Sequence, residues 1–236
     1  MDVAELLQVN GTLERLYLAN CELDMPSLVA LATVLQQNAA VQVLDVQRSL
    51  VDSRMEEHVE HFGRMLAVNT TLRELDLSKC GVGDRGMLML VSALRKAGAK
   101  SGLRTLRLRA NRIRLVDAGA VDVTSLLLGG EECQLTTLDL AANDLRDEGA
   151  LVLAEMLQAN ASLQSLLLSS NSINSRGLCA LAHAAGGGGA LQSLTLWGNR
   201  FDSAACMAWE PAIKMGAIEL DFGCKEVDGT YTATKK

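Results

Sequence analysis

The chain has 236 residues, of which 49% are hydrophobic but only 3% aromatic, so its core has to be built from aliphatic side chains. Its formal net charge of −6 argues against general binding to nucleic acid or to an anionic membrane surface. No apolar run reaches the roughly 18 residues of a membrane span. The six cysteines form no C-x-x-C pair, which favours a reducing, cytoplasmic setting.

The first nine residues, MDVAELLQV, have the pattern of the last turns of a helix, and Asn10-Gly11 marks its end. They carry Asp2 and Glu5 where a signal peptide would carry positive charge. We therefore predict a short helix at the front of the chain.

Seven copies of one pattern follow, over residues 13–214. Each begins with a strand-like segment in which aliphatic and polar residues alternate, and the starts lie 28 to 32 residues apart. The segments are LERLYLANCEL, VQVLDVQRSLV, LRELDLSKCGV, LRTLRLRANRI, LTTLDLAANDL, LQSLLLSSNSI and LQSLTLWGNRF. One strand and one helix cannot bury an apolar face without a neighbour, so we predict that the copies stack.

Helical patterns such as RDEGALVLAEMLQAN follow the strand segments. A glycine commonly opens the helix, and its small size is expected to let the helix lie close to its strand. These glycines are Gly86, Gly119, Gly149 and Gly177.

The copies share the signature L-x-x-L-x-L-x-x-N/C-x-L and resemble leucine-rich repeats of the ribonuclease-inhibitor type. The resemblance implies an α/β solenoid, a horseshoe with a parallel sheet on the concave face and helices on the convex face. At the turn that leaves each strand, we expect asparagines to bond the neighbouring coil and cysteines to be small buried substitutes. That turn position holds Cys21, Ser49, Cys80, Asn111, Asn143, Asn171 and Asn199.

Residues 1–12 align with the tail of a repeat helix, so one leucine-rich-repeat domain over 1–236 is expected to begin on an incomplete repeat. Three interpretations of this front stay open. The sequence is a fragment of a longer repeat protein, or its front docks on another protein, or the first nine residues form a cap of their own.

Residues 215–236 are expected to add a short strand and a β-hairpin cap. Asp228-Gly229 is a typical two-residue hairpin turn, and TYTAT alternates as a strand does. Trp209 is expected to pack in the core or under this cap.

Side chains that alternate with the leucines are expected to face the concave solvent side and to bind a partner protein. The candidate residues are Arg15, Tyr17, Arg48, Arg73, Lys79, Arg104, Arg107, Arg109, Leu167 and Trp197. The arginines, which continue into Arg112 and Arg114, would receive an acidic segment, and Trp197 would be an aromatic anchor. The alternative is a solvated face whose arginines pair with Asp76 and Asp139 and whose Trp197 packs on the hairpin.

Residues that resemble catalytic, cofactor or metal sites have simpler explanations, so we expect no enzyme, no cofactor and no metal. GAKSG at 98–102 and GGGG at 186–189 are predicted to be connectors between repeats. His58 and His61 are expected on a charged outer helix face. Asn10, Asn69 and Asn160 match the glycosylation pattern, but we expect them to end helices in the left-handed conformation.

The leading hypothesis is a non-enzymatic protein–protein interaction scaffold that binds through the concave face, the open N-terminal edge or both. The ending DFGCKEVDGTY is similar to those of ciliary and flagellar leucine-rich-repeat proteins, which implies an axonemal scaffold. The alternative is a regulator of a small GTPase, since the repeats are similar to those of Ran GTPase-activating protein. That family's acidic tail has no counterpart in the terminal TATKK. A third candidate, an immune-type sensor, would require nucleotide-binding domains that this sequence does not contain.

Overall fold

The computed structural model describes residues 3–51, 55–116, 134–187 and 189–236. Eight parallel strands form one sheet in chain order. They are β1 (Arg15–Tyr17), β2 (Val43–Asp45), β3 (Glu74–Asp76), β4 (Thr105–Arg107), β5 (Thr137–Asp139), β6 (Ser165–Leu167), β7 (Ser193–Thr195) and β8 (Glu219–Leu220).

Helices precede or follow these strands and pack against one another in sequence order. The described helices are α1 (Val3–Val9), α2 (Met25–Val34), α3 (Glu57–Leu66), α4 (Asp84–Ala97), α5 (Arg146–Ala159), α6 (Ser175–Ala185) and α7 (Ser203–Met215). The predicted solenoid, with a concave parallel sheet and convex helices, is confirmed.

The core is a set of aliphatic columns that run through the stacked repeats. The middle residue of each strand lies beside the middle residue of the next, and these residues are Leu16, Leu44, Leu75, Leu106, Leu138, Leu166, Leu194 and Leu220. The five from Leu44 to Leu166 and also Leu194 are fully buried. Each repeat therefore buries its leucine against the repeats on both sides.

Asparagines bind adjacent repeats together where the chain leaves the strands. Asn143 Nδ2 donates to the carbonyl oxygen of Leu108 in the preceding repeat, at 3.0 Å. Its Oδ1 accepts the backbone N–H of Ile113, also in the preceding repeat, at 3.0 Å. Asn111, Asn171 and Asn199 repeat this pattern, so the predicted backbone bonds are confirmed.

The cysteines at this turn position differ from one another. Cys80 is fully buried, and its Sγ lies 3.3 Å from the carbonyl oxygen of Val46 in the preceding repeat. Cys21 is exposed, so the prediction that it is buried was wrong. A residue at this position is covered by the strand-end turn of the preceding repeat. In the described part of the chain β1 is the edge strand, with only α1 before it, so no such turn covers Cys21.

A second set of asparagines lies where the helices lead into the strands. Asn38 Nδ2 donates to the carbonyl oxygens of Leu7 and Asn10, and Asn69 Nδ2 donates to that of Leu35. Asn10, Asn69 and Asn160 also accept backbone N–H groups two and three residues ahead. The predicted left-handed conformation was wrong, because Asn160 has φ −79° and Asn10 and Asn69 do not have positive φ either.

Glycine at the start of a helix permits close contact with the preceding repeat as well as with its own strand turn. A Cβ on Gly177 would lie 2.8 Å from the Cβ of Ala150 in the preceding helix and 2.6 Å from Ile173 Cγ2. Gly86 and Gly149 are similarly crowded. Gly119 lies outside the described residues.

His58 occupies the corresponding position of α3, two residues after Glu56, and it is fully buried. Its Nε2 lies 2.9 Å from the carbonyl oxygen of Cys80, so this nitrogen carries the proton and donates it. The predicted location on a charged outer face was wrong for His58, whereas His61 is half-buried. Burial lowers the pKa of His58 below its ordinary value of 6.5, although the Cys80 bond and nearby Glu56 act in the opposite direction.

The chain ends in an antiparallel hairpin of β9 (Phe222–Val227) and β10 (Thr230–Lys235), as predicted. Asp228 and Gly229 form its turn with positive φ values of 51° and 76°. Phe222 is fully buried, and its ring centroid lies 5.6 Å from that of Trp209 in an edge-to-face arrangement. The predicted core position of Trp209 is therefore confirmed, and the hairpin packs on α7.

The connectors behave as predicted where they are described. Gly98–Lys100 form one 3₁₀ turn between α4 and β4, and Gly186 and Gly187 form the turn that follows α6. Gly188 lies outside the described residues. Among the helices of the described segments, none has the length and apolar character needed to cross a bilayer.

Replacing Leu138 by alanine should lower the free energy of unfolding by about 2–5 kcal/mol, because it leaves a cavity in a fully buried column. Chemical denaturation measures this loss. Leu50, which is 62% exposed, provides the matched control, and L50A should cost within about 0.5 kcal/mol. Equal losses in the two variants would contradict the assignment of Leu138 to the core.

Acidification below pH 6.5 should destabilise the protein through His58. The imidazole takes up a proton more readily in the unfolded chain than in the folded one, where its pKa is lowered by burial. Stability that is present above pH 6.5 is therefore lost as the pH falls, by at most about 1.4 kcal/mol per pH unit. Denaturation of the wild type and H58Q across pH 7.5 to 5 measures the difference. Parallel stability curves would refute this role of His58.

Candidate protein-interaction surfaces

The concave face is formed by the residues on either side of each strand's buried leucine, because side chains alternate along a strand. One row contains Arg15, Val43, Glu74, Thr105, Thr137, Ser165, Ser193 and Glu219. The other contains Tyr17, Asp45, Asp76, Arg107, Asp139, Leu167 and Thr195. Of the ten predicted binding residues, Arg15, Tyr17, Arg107 and Leu167 thus lie in the concave strand rows.

The charged half of these rows contains both signs. Arg107 forms an ion pair with Glu74 on the neighbouring strand, with 3.1 Å between Nη1 and Oε2. Asp45, Asp76 and Asp139 each accept the backbone N–H of the residue two positions ahead. The concave rows are therefore less basic than the arginine count suggested.

Burial raises the pKa values of Asp76 and Asp139, while the backbone hydrogen bonds and nearby arginines act against this shift. Arg107 acts on both carboxyl groups, and Arg109 acts on Asp139. The arginines thus interact with Asp76 and Asp139 by longer-range electrostatic attraction, whereas the direct ion-pair partner of Arg107 is Glu74.

Arg73 and Arg104 lie at the turns that lead into their strands, off the predicted concave rows. Arg73 Nη1 is within 3.4 Å of the carbonyl oxygen of Thr70. Arg104 donates to the carbonyl oxygen of Gly102 at 3.2 Å and to Gln134 Oε1 at 2.6 Å. Each precedes the first residue of its strand, so the alternation along the strand does not place either side chain in the concave rows.

Arg48, Lys79 and Arg109 lie at the opposite end of the strands, where the chain turns away from the sheet. All three are exposed. Arg112 is also exposed, and its Nη2 donates to the carbonyl oxygen of Gly81 at 2.7 Å, just beyond Lys79. We call Arg48, Lys79, Arg109 and Arg112 the basic stripe.

Alignment of the repeats could have revealed part of this stripe, since Arg48 and Lys79 occupy the same column of the repeat, whereas Arg109 lies one column earlier and Arg112 two columns later. The sequence interpretation instead grouped Arg112 with Arg104 and Arg107 by proximity in the chain. The fold separates these three, because Arg104 precedes β4, Arg107 lies within it and Arg112 follows it.

Trp197 lies at the same end of the sheet, just after β7, and is half-buried against the core. Its backbone N–H donates to the carboxylate of Asp221, which also accepts the N–H of Leu196 at 2.7 Å. Ser169 Oγ lies 2.9 Å from Thr195 Oγ1 and 3.2 Å from Asp221 Oδ2. The segment that carries Trp197 is therefore held in place, and the residue is partly exposed.

The front of the solenoid presents part of the core. Leu16 and Leu18 are half-buried, whereas the matching Leu44 and Val46 of the next repeat are fully buried. β1 is the edge strand of the sheet, and Tyr17 is 60% exposed. The expected open N-terminal edge is thus present in the part of the chain that the structure describes.

Within the described residues, no group of three or more His, Cys, Asp and Glu side chains is arranged to hold a metal ion. Cys80 has its pKa raised by burial to about 11, so its thiol is not activated as a nucleophile. The chemistry of these surfaces is that of hydrogen bonds, ion pairs and apolar contact.

Comparison with known proteins agrees with the geometry. The family model described as Leucine Rich repeat matches residues 68–91, 133–154 and 159–182. Leucine-rich repeat-containing protein 34 of Mus musculus is 35% identical over 41% of this chain and 22% of its own length. Ribonuclease inhibitor of Sus scrofa is 31% identical over 68% of this chain and 40% of its own length. This chain therefore spans less than half the length of either relative.

A solved structure of Leiomodin-1 Actin-Binding Site 2 has the same kind of fold. It superposes with a TM-score of 0.51 at 19% identity, covering 58% of this chain and 76% of that chain. The repeat signature, the sheet of parallel strands with asparagine-bonded turns, and the matching sequences agree. The chain is a leucine-rich-repeat protein of the ribonuclease-inhibitor type.

Proposed function

We propose that the protein is a non-enzymatic interaction module that binds a partner protein on the concave side of its sheet. The supporting observation is that charged and aromatic side chains on that side keep accessible surface, with Arg15 and Tyr17 exposed and Arg107 and Trp197 half-exposed. The core uses the leucines and the turns use the asparagines. The exposed Tyr17 therefore adds little to the core, while Trp197 is partly buried against it and partly accessible. Exposed aromatic side chains and arginines are the residue types that contribute most at protein interfaces.

The partner is proposed to present an acidic segment to the basic end of this surface and an apolar group near Leu167 and Trp197. Arg107 is 40% exposed despite its ion pair with Glu74, so a partner carboxylate can compete for it. The half-exposed leucines at the front supply a second proposed docking surface. A cytoplasmic protein with no enzymatic activity is consistent with this proposal.

The axonemal scaffold and the GTPase regulator stay predictions from resemblance. The basic residues near β4 would suit an acidic surface on either kind of partner, so they do not favour one over the other. Nucleotide-dependent binding of a small GTPase would be the observation that favours the second.

Replacing Arg107 or Trp197 by alanine should weaken capture of the partner while the protein stays folded. Loss of the exposed Arg107–Glu74 pair should cost no more than about 1 kcal/mol of folding stability. Truncation of an anchoring tryptophan should weaken binding by about 2 kcal/mol, or roughly thirtyfold. Cross-linking and mass spectrometry in native cell extract, followed by quantitative pull-down with each variant, measures the effect.

R64A is the matched control, since Arg64 is an exposed, ion-paired arginine on helix α3. Its capture of the partner should equal that of the wild type. Unfolding of R107A, or equal capture by all variants, would contradict binding through the concave face.

A further inference from the structure

The basic stripe lies on three consecutive repeats. The backbone N–H of Arg48 donates to the carbonyl oxygen of Ser78 at 2.9 Å, and that of Lys79 donates to Arg109 at 2.9 Å. The turns therefore stay as closely spaced as the strands, about 4.8 Å apart. Arg112 adds a fourth cation beside Gly81 on the middle turn.

The fold itself does not require long cations at this position. Arg48 and Lys79 have positive φ values of 58° and 57°. Every repeat has the same left-handed backbone here, and the other residues are Asn20, Ala110, Ala142, Ser170 and Gly198. Asparagine and glycine adopt this conformation more readily than arginine or lysine do. The backbone of the turn therefore does not require a cation, although Arg48 Nη1 also donates to Asn20 Oδ1 on the preceding turn at 3.4 Å.

The stripe also lacks the ion pairs that would explain it. Across the described segments, no carboxylate lies within 4.0 Å of its four cationic groups, while Arg107 and Arg146 do have such partners. Asp45, Asp76 and Asp139 lie nearby, but each already accepts a backbone N–H. Like charges on adjacent repeats repel one another, so an anionic ligand would relieve a cost that the folded protein carries.

We propose that the basic stripe binds a short, extended acidic segment of the partner protein, which runs across the strand ends from β2 to β4. This inference rests on the proposed function and names the chemistry of one part of its surface. Two repeat spacings cover about 10 Å, which is the distance between the first and the fourth residue of an extended chain. A run of four or more Asp or Glu residues is therefore long enough to reach from Arg48 past Lys79 to Arg109.

A protein segment fits this site better than nucleic acid does. The chain carries a formal net charge of −6, which repels a long polyanion. The stripe covers three repeats, and beside it lie the acidic side chains of Asp45, Glu74 and Asp76. A short acidic peptide can contact the stripe without crossing these carboxylates.

The test is a fluorescence-anisotropy titration of the full chain with a labelled peptide of six glutamates flanked by Gly-Ser. The triple variant R48E/K79E/R109E should bind at least about tenfold more weakly than the wild type. Raising the salt from 0.1 M to 1 M should abolish wild-type binding, because the screening length falls from about 10 Å to about 3 Å.

R85E/R95E/K96E is the matched control, because it makes the same change of charge at exposed positions of helix α4. It should retain wild-type affinity for the peptide. Equal weakening in the two triple variants would show a general field effect and overturn the stripe as a site. Tighter, stripe-dependent binding of an oligothymidine of the same label would overturn the choice of a protein ligand.

The partner captured from cell extract separates this inference from the proposed function. If capture depends on Arg107 and Trp197 but is unchanged in R48E/K79E/R109E, the module binds a partner and the stripe is not its acidic site. If capture depends on none of these residues, both proposals fail. Loss of capture in the stripe variant, with the α4 control unchanged, supports both.

Discussion

Hydrogen bonds from asparagine side chains to the backbone of the preceding repeat are the interaction on which the solenoid depends. The chain must turn twice in each repeat at buried or half-buried positions, where unsatisfied backbone groups would each cost about 1–3 kcal/mol. Asn143 meets this need at the strand end, and Asn69 meets it where a helix leads into a strand. Each repeat is thereby completed by its neighbour, and the leucine columns are buried by the same stacking.

This arrangement separates the residues that hold the fold from the residues that can bind. Leucines face inward, asparagines hold the turns, and glycine such as Gly177 allows the helices to approach. The positions between them can vary without loss of the core. The protein uses that freedom unevenly, with charged groups on β2 to β4 and small or aliphatic side chains on β6 and β7.

The two ends of the solenoid differ for the same physical reason. At the rear, the hairpin packs on α7, and Phe222 fills the space beside Phe201 and Trp209. At the front, Leu16 and Leu18 have a neighbour on one side and are half-exposed, while Cys21 loses the cover that Cys80 receives. Burial of a given position in the repeat thus depends on whether a neighbouring repeat or the hairpin covers it on each side.

The repeat, the leucine core and the asparagine-bonded turns were predictable from the sequence, because each depends on residue types that recur at a regular spacing. The Asp228-Gly229 hairpin was predictable because its turn depends on two adjacent residues. Tertiary structure decided what depends on a neighbouring repeat. It buries His58 against the Cys80 carbonyl, exposes Cys21, and lets Asn10 bond its own turn without a left-handed backbone. The arginines that form one cluster in the sequence are also separated by the fold. They lie at a helix-to-strand turn, within a strand and in the basic stripe, because neighbouring residues of one repeat point in different directions while the turns of successive repeats lie side by side.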